Sequence, residues 1–339
     1  MRFIVTILLI FSVTISLFAG EKESKAFLAE AAELYNKGDY NGAISAYNKA
    51  LVAGSGRVIV YFNIANCNYL AKRPWDAVTY YRRVINLAPE FEKAYLNCAK
   101  TYMEFKEYTA AVKILEALLA RVPNNSEGML LLGSSYCELD MLAEGIKWID
   151  KSIYLDPDNM TANLLLAEAY INLGDANAAV VVMEKALLIN PDSLIANRFL
   201  GDIYMSMERY IDAASVYENL LQLKKNDHQI YYMLAICYVY SGQSFCAIDI
   251  LKESLAIKKD ATDTSLLLAK VYTELEFYDE ARDTILDAAR YDSKRVRVYL
   301  YNLAVELYNN NKDDKIIVLY NKAKLIDNSL AATIKDFLR

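Results

Sequence analysis

The sequence predicts an all-α chain built as a solenoid of helix-turn-helix units, on three observations. Small residues recur at a spacing of 34: Ala31, Ala65, Ala99, Gly133, Ala167, Gly201, Ala235 and Ala269, with Ala304 one residue late. A second small column lies twelve residues further along each unit, at Ala43, Ala77, Ala111, Gly145, Ala179, Ala213, Ala247 and Ala281, and only Ile316 breaks it. Pro89, Pro123, Pro157 and Pro191 keep the same spacing, as do Tyr102, Tyr136, Tyr170, Tyr204, Tyr238 and Tyr272. A fixed period of this length marks one supersecondary element repeated along the chain, each copy burying its apolar face against its neighbours.

In chain order, the first element is unlike the rest. Met1 and Arg2 precede an uncharged apolar run from Phe3 to Ala19, with Glu21, Lys22 and Glu23 just beyond it. Residues 1–20 read as an export signal or an N-terminal membrane anchor, since a positive start ahead of an apolar run sends the rest of the chain across the membrane. Two outcomes stay open. A cut after Ala19 would place the bulky Leu17 where a small residue is favoured, and the run sits near the lower limit of about 17 residues for a spanning helix. The expected location of the mature chain is extracytoplasmic, in the periplasm, either soluble after cleavage or held in the inner membrane through residues 3–19. No Cys comes after the run to carry a lipid at this end.

Within each unit the two small columns belong where two helices cross and their backbones approach closely. Leu132, Leu166, Leu200, Leu234 and Leu268 each precede the first small residue and share a helical face with the tyrosine three positions after it, which makes that face core. Proline stops the second helix, with Asn125, Asp158 and Asp192 placed to cap the next one. Gly38-Asp39, Gly174-Asp175 and Gly242-Gln243 fit the turn inside the unit. The five cysteines, Cys67, Cys98, Cys137, Cys237 and Cys246, lack the short paired spacing of a zinc or redox site. They are expected as free thiols filling the core, with a Cys237–Cys246 disulfide as the alternative.

This pattern of period, small residues, Tyr and Pro resembles the tetratricopeptide repeat family from about residue 24 to 328. The family's Trp position holds Tyr61, Tyr95, Tyr231 or smaller residues, and the prolines stop after Pro191. The resemblance implies a right-handed superhelical solenoid of about nine helix-turn-helix repeats within 21–328, with units starting near 24, 58, 92, 126, 160, 194, 228, 262 and 297. Residues 329–339 carry Leu330, Ile334 and Phe337 on one side and form the expected C-terminal capping helix. The resemblance also implies a concave face lined by the first helix of each unit. Its fifth positions are Leu28, Phe62, Leu96, Leu130, Leu164, Arg198, Tyr232, Leu266 and, shifted by one, Tyr301; its twelfth include Tyr35, Tyr69, Met103, Ile171, Met205 and Tyr308. The partner-binding residues expected there are Phe62, Asn66, Tyr69, Lys93, Lys100, Arg198, Asp202, Tyr232 and Lys270. Of the clamp with which some family members grip a chaperone's C-terminal carboxylate, only Asn66 and Lys100 remain, so that clamp is absent.

These features point to a non-catalytic interaction scaffold or assembly factor of the cell envelope, holding a peptide segment or partner helix along the concave face. The alternative is an extracytoplasmic receptor for a small apolar ligand serving a transporter. A net charge of −6 and pI near 5.1 give no basic footprint, which argues against a nucleic-acid partner. One histidine, His228, and no nucleophile–base pairing or Gly-rich phosphate loop leave no enzyme, cofactor or metal to expect. Arg57 to Asn125 holds ten basic against six acidic residues and Ser126 to Ser193 three against eleven, a layout that would also allow head-to-tail self-association.

Overall fold

The computed structural model describes residues 22–338; the export segment expected at 1–20, and the membrane contact assigned to 3–19, lie outside them. No strand occurs among the described residues, and no helix there is long and apolar enough to cross a membrane. The chain is an all-α helical repeat solenoid that divides into two compact units, one running to Asp175 and the other from Ala176.

The first unit holds α1 (22–36), α2 (Tyr40–Val52), α3 (Arg57–Leu70), α4 (Pro74–Leu87), α5 (Glu92–Glu104), α6 (Tyr108–Leu119), α7 (Ser126–Glu138), α8 (Leu142–Leu155) and α9 (Met160–Asn172). The second holds α10 (Ala176–Ile189), α11 (Leu194–Ser206), α12 (Tyr210–Leu223), α13 (His228–Tyr240), α14 (Ser244–Ile257), α15 (Thr262–Glu274), α16 (Tyr278–Ala289), α17 (Ser293–Asn309), α18 (Asp313–Ile326) and α19 (Asn328–Ile334). Odd-numbered helices up to α17 open the hairpins and even-numbered ones close them. The short α19 continues into a 3₁₀ turn at Lys335–Phe337.

Every alanine of the two small columns is buried, and Ile316 is fully buried at the place where the second column breaks. The reason is clearest where α7 meets α8. A Cβ on Gly133 would lie 2.8 Å from the Gly145 carbonyl oxygen, and one on Gly145 would lie 2.9 Å from the Gly133 carbonyl oxygen. Two backbones touch there, and no side chain fits between them.

Each hairpin turns through one left-handed residue. Gly38, Gly174 and Gly242 fill that position, but so do Lys72, Lys106, Asp140, Glu208, Glu276 and Asn311, all with positive φ. The next residue donates its backbone N–H five positions back, as in Glu107 to Tyr102 (2.9 Å), Met141 to Tyr136 (2.9 Å) and Gln243 to Tyr238 (2.7 Å). This closes the last turn of each opening helix, on the carbonyl of the repeated tyrosine from α5 to α15 and on those of Leu34, Asn68 and Leu307 in α1, α3 and α17. The tyrosine hydroxyls do separate work: Tyr136 donates to Glu116 (2.9 Å), Tyr204 to Glu184 (2.7 Å) and Tyr238 to Glu218 (2.6 Å). Each bond ties an opening helix to the closing helix of the preceding hairpin.

Three expectations are corrected. Asn125 caps α7 by accepting from Gly128 N–H (2.6 Å), but the caps of α9 and α11 are Asn159 and Ser193, one residue later than Asp158 and Asp192. All five cysteines are free, and only Cys67, Cys98 and Cys237 are fully within the core; Cys137 is half-buried and Cys246 exposed, because α14 turns it outward beside Phe245. Burial pushes the thiols of Cys98 and Cys237 up to about 12. The apolar ladder is also partly core: Leu96, Leu130 and Leu266 are buried by neighbouring helices and present nothing to a partner.

Candidate partner-binding face

In the first unit α1, α3 and α5 lie in succession and open a cleft of about 300 Å³ lined by Tyr35, Asn66, Tyr69, Leu70, Tyr81, Asn97, Lys100 and Thr101. Helical spacing puts Asn66, Tyr69 and Leu70 on one side of α3, and Asn97, Lys100 and Thr101 on the matching side of α5. The cleft is organised by its amides. Asn66 Oδ1 accepts from the Tyr81 hydroxyl at 2.6 Å and from Asn97 Nδ2 at 3.3 Å. With its oxygen used twice, Asn66 keeps its amide N–H donors for whatever enters. Tyr69 donates its hydroxyl to Glu104 (2.5 Å), and that bond holds its phenol pKa above the ordinary value. Burial raises Tyr35 and Tyr81 in the same direction, so all three phenols stay protonated. Lys100 reaches Glu127 at 2.6 Å in an exposed pair.

A second cleft of about 330 Å³ lies further along the same unit, lined by Ser134, Cys137, Glu138, Asp140, Ile149, Leu165, Glu168, Ala169 and Asn172. It is the first cleft repeated. Residues 66, 69, 70, 81, 97, 100 and 101 recur 68 positions later as 134, 137, 138, 149, 165, 168 and 169. The geometry is kept and the chemistry is exchanged: Leu70 becomes Glu138, Tyr81 becomes Ile149, Asn97 becomes Leu165 and Lys100 becomes Glu168.

In the second unit a pocket of about 470 Å³ is lined by Arg198 from α11, His228, Gln229, Tyr232 and Met233 from α13, the segment from Asp260 to Thr264, Lys258, and Arg295 of α17. Arg295 is ion-paired with Asp263. The pocket carries both signs of charge.

The structure therefore gathers Asn66, Tyr69 and Lys100 in one cleft, and Arg198 and Tyr232 in one pocket. Phe62 is not in the cleft lining. It packs between helices, its ring centroid 5.8 Å from Tyr81 and 5.0 Å from Phe91. Asp202 accepts the Tyr217 hydroxyl at 2.6 Å, Lys270 faces Glu274 at 3.7 Å, and Lys93 stands near the start of α5. Sequence reasoning missed Tyr81 and Asn97, the two residues that orient Asn66. Tyr81 had a readable signal, since Tyr217 stands in the same register and donates to Asp202 as Tyr81 does to Asn66.

Comparison with known proteins bears on the fold. Two family profiles described as tetratricopeptide repeat match residues 28–90 and 69–134, and the profile of the tetratricopeptide repeat protein 21 C-terminal ARM domain matches 146–263. No curated protein matches the chain. Among solved structures, the C-terminal part of a TPR repeat-containing protein from Cytophaga hutchinsonii aligns at TM-score 0.60 and 17% identity, covering 69% of this chain and 97% of that one. A tetratricopeptide repeat protein from Parabacteroides merdae aligns at TM-score 0.51 and 16% identity, covering 74% and 98%.

Proposed function

From the premise that this chain belongs to the tetratricopeptide repeat family, we propose that it is a non-catalytic scaffold or assembly factor of the cell envelope that holds an extended segment of another protein. Repeats of this family serve protein–protein interaction in general. The finer reading rests on one observation, the Asn66 amide. Its oxygen is fixed by Tyr81 and Asn97, which leaves its N–H donors for a ligand of the cleft that Tyr35 and Tyr69 also line. A donor held in this way suits a peptide carbonyl, and flat phenol walls suit the side chains on either side of it. The envelope setting is drawn from the apolar run at residues 3–19.

The small-ligand alternative has less support. The 470 Å³ pocket presents Arg198, Lys258, Asp260, Asp263 and Arg295, which an apolar molecule would have to desolvate without compensation.

Crosslinking in intact cells, with recovery of the full chain, tests the proposal. The natural protein is compared with an Asn66→Ala, Tyr69→Ala, Lys100→Glu variant; Phe62 is spared because truncating it would loosen helix packing. Envelope proteins captured by the natural chain are expected to be lost from the variant. Identical partner sets would refute the cleft as the binding surface, and partners drawn solely from the cytoplasm would refute the envelope setting.

A further inference from the structure

The two clefts of the first unit occupy the same place in the repeat, so the differences between them are differences of chemistry. In the second, Ile149 and Ala169 are buried and Leu165 is half-buried, giving an apolar floor. Around it stand Glu138, Asp140 and Glu168, with Asn172 and Ser134 beside them and no cationic side chain in the lining. Among the described residues none of the three carboxylates has an ion-pair partner, and the negative charge of Glu138 helps hold the Tyr108 phenol above its ordinary pKa. The lysines of α8 are no remedy. Neither Lys147 nor Lys151 lines the cleft, and Lys151 sits over the Trp148 ring at 4.1 Å. Cys137, on the cleft wall, has its thiol pushed up by burial and then by Glu138 and Glu168, in keeping with a negative local field.

Three like charges on the rim of a concavity with an apolar floor focus their field into it, which favours a cation and penalises an anion. A compact cation such as a metal ion would gain nothing from the floor. A lysine or arginine side chain uses both parts, laying its methylene stem on Ile149 and Leu165 and its charged head among the carboxylates. The position is also suited to a residue of a continuous segment, because the Asn66 cleft lies two hairpins earlier along the same unit.

Resting on the scaffold reading above, we propose that the Glu138–Asp140–Glu168 cleft receives a lysine or arginine side chain of the bound segment, and so selects partners in which a basic residue flanks an uncharged stretch. The selection is the work of side-chain replacement at fixed geometry: what Lys100 would repel in the first cleft, Glu168 attracts in the second.

Fluorescence anisotropy with the full chain and three labelled peptides of equal length, alternating alanine with lysine, with serine or with glutamate, tests this. The lysine peptide is expected to bind at least about tenfold more tightly than the serine peptide at low salt, with the advantage shrinking as salt rises. Glu138→Gln with Glu168→Gln, both isosteric, is expected to reduce the lysine peptide to the serine level and leave the serine peptide unchanged. Equal affinities, a preference for glutamate, or an unchanged lysine preference in the double variant would each overturn the proposal. Binding of the serine peptide without charge preference would leave the scaffold reading standing, whereas no binding of any peptide would count against both.

Discussion

At Gly133 and Gly145 the identity of a single atom decides whether two helices can meet. Elsewhere the small columns mostly hold alanine, so the crossing generally has room for one methyl; in this hairpin both helices lack it and the backbones close the gap. A methyl placed at Gly133 would lie 2.6 Å from Ile149 Cγ1 as well as against the Gly145 carbonyl. Ile149 is buried and the carbonyl belongs to a helix, so neither yields cheaply. Gly133→Ala is therefore expected to cost about 1–3 kcal/mol, read as a lower urea midpoint, although alanine is the better helix former. A midpoint equal to or above that of the natural chain would show that the hairpin can reopen. The need for a small residue here was legible from the column alone. The stricter need for glycine was not, because it depends on both partners being glycine at once.

At the scale of helices, charged side chains join α16 to α18 beside the buried apolar core that the two helices share. Arg282 donates to Asp279 (2.6 Å) and Asp283 (2.8 Å) on its own helix, while Lys315 and Lys322 of α18 reach the same two carboxylates at 2.6 and 2.7 Å. Hydrogen bonds from Arg282 and then Lys322 hold Asp283 down at about 2. Its folded value lies below the ordinary 3.8, so its stabilisation is present above that pH and is lost as pH falls toward about 2. Asp283→Asn is expected to lower the urea midpoint at pH 6 and to flatten its fall between pH 4 and pH 2. The effect should be modest, because the Asp283 side chain is 53% exposed. An unaltered acid profile would assign the docking of α18 to apolar contact alone. None of this was visible in the sequence, since a network joining residues 36 and 39 positions apart matches no period. The turns were half legible for a related reason: three glycines announced a left-handed residue, and six charged or amide residues adopt the same φ without announcing it. The hydrogen bond back to the carbonyl five residues earlier supplies at these turns what glycine would otherwise make easy.

Across the whole molecule, one backbone pattern repeated along the chain carries different chemistry at each step, and that sets what a sequence can reveal. The period, the hairpins and the face that opens into clefts are written in the columns. What each cleft recognises depends on side chains free to vary, as Lys100 and Glu168 do. A stack of this kind is also held together by neighbours only, so a defect should be felt locally. The end of the second unit gives a direct test. Leu330 and Ile334 of α19 are fully buried against the core that includes Leu303, Leu307 and Leu319, and Phe337 packs its ring on Tyr301 and Tyr308 at 5.3 and 5.9 Å. Leu330→Ala removes a buried side chain at a site that backbone cannot refill, a loss of roughly 2–5 kcal/mol. If stability is a sum of neighbour terms, amide exchange should quicken in α17, α18 and α19 and stay unchanged in α2 to α8. Faster exchange throughout the chain would mean that the repeats fold as one cooperative block, and that a partner seated on the first unit could be sensed at the far end.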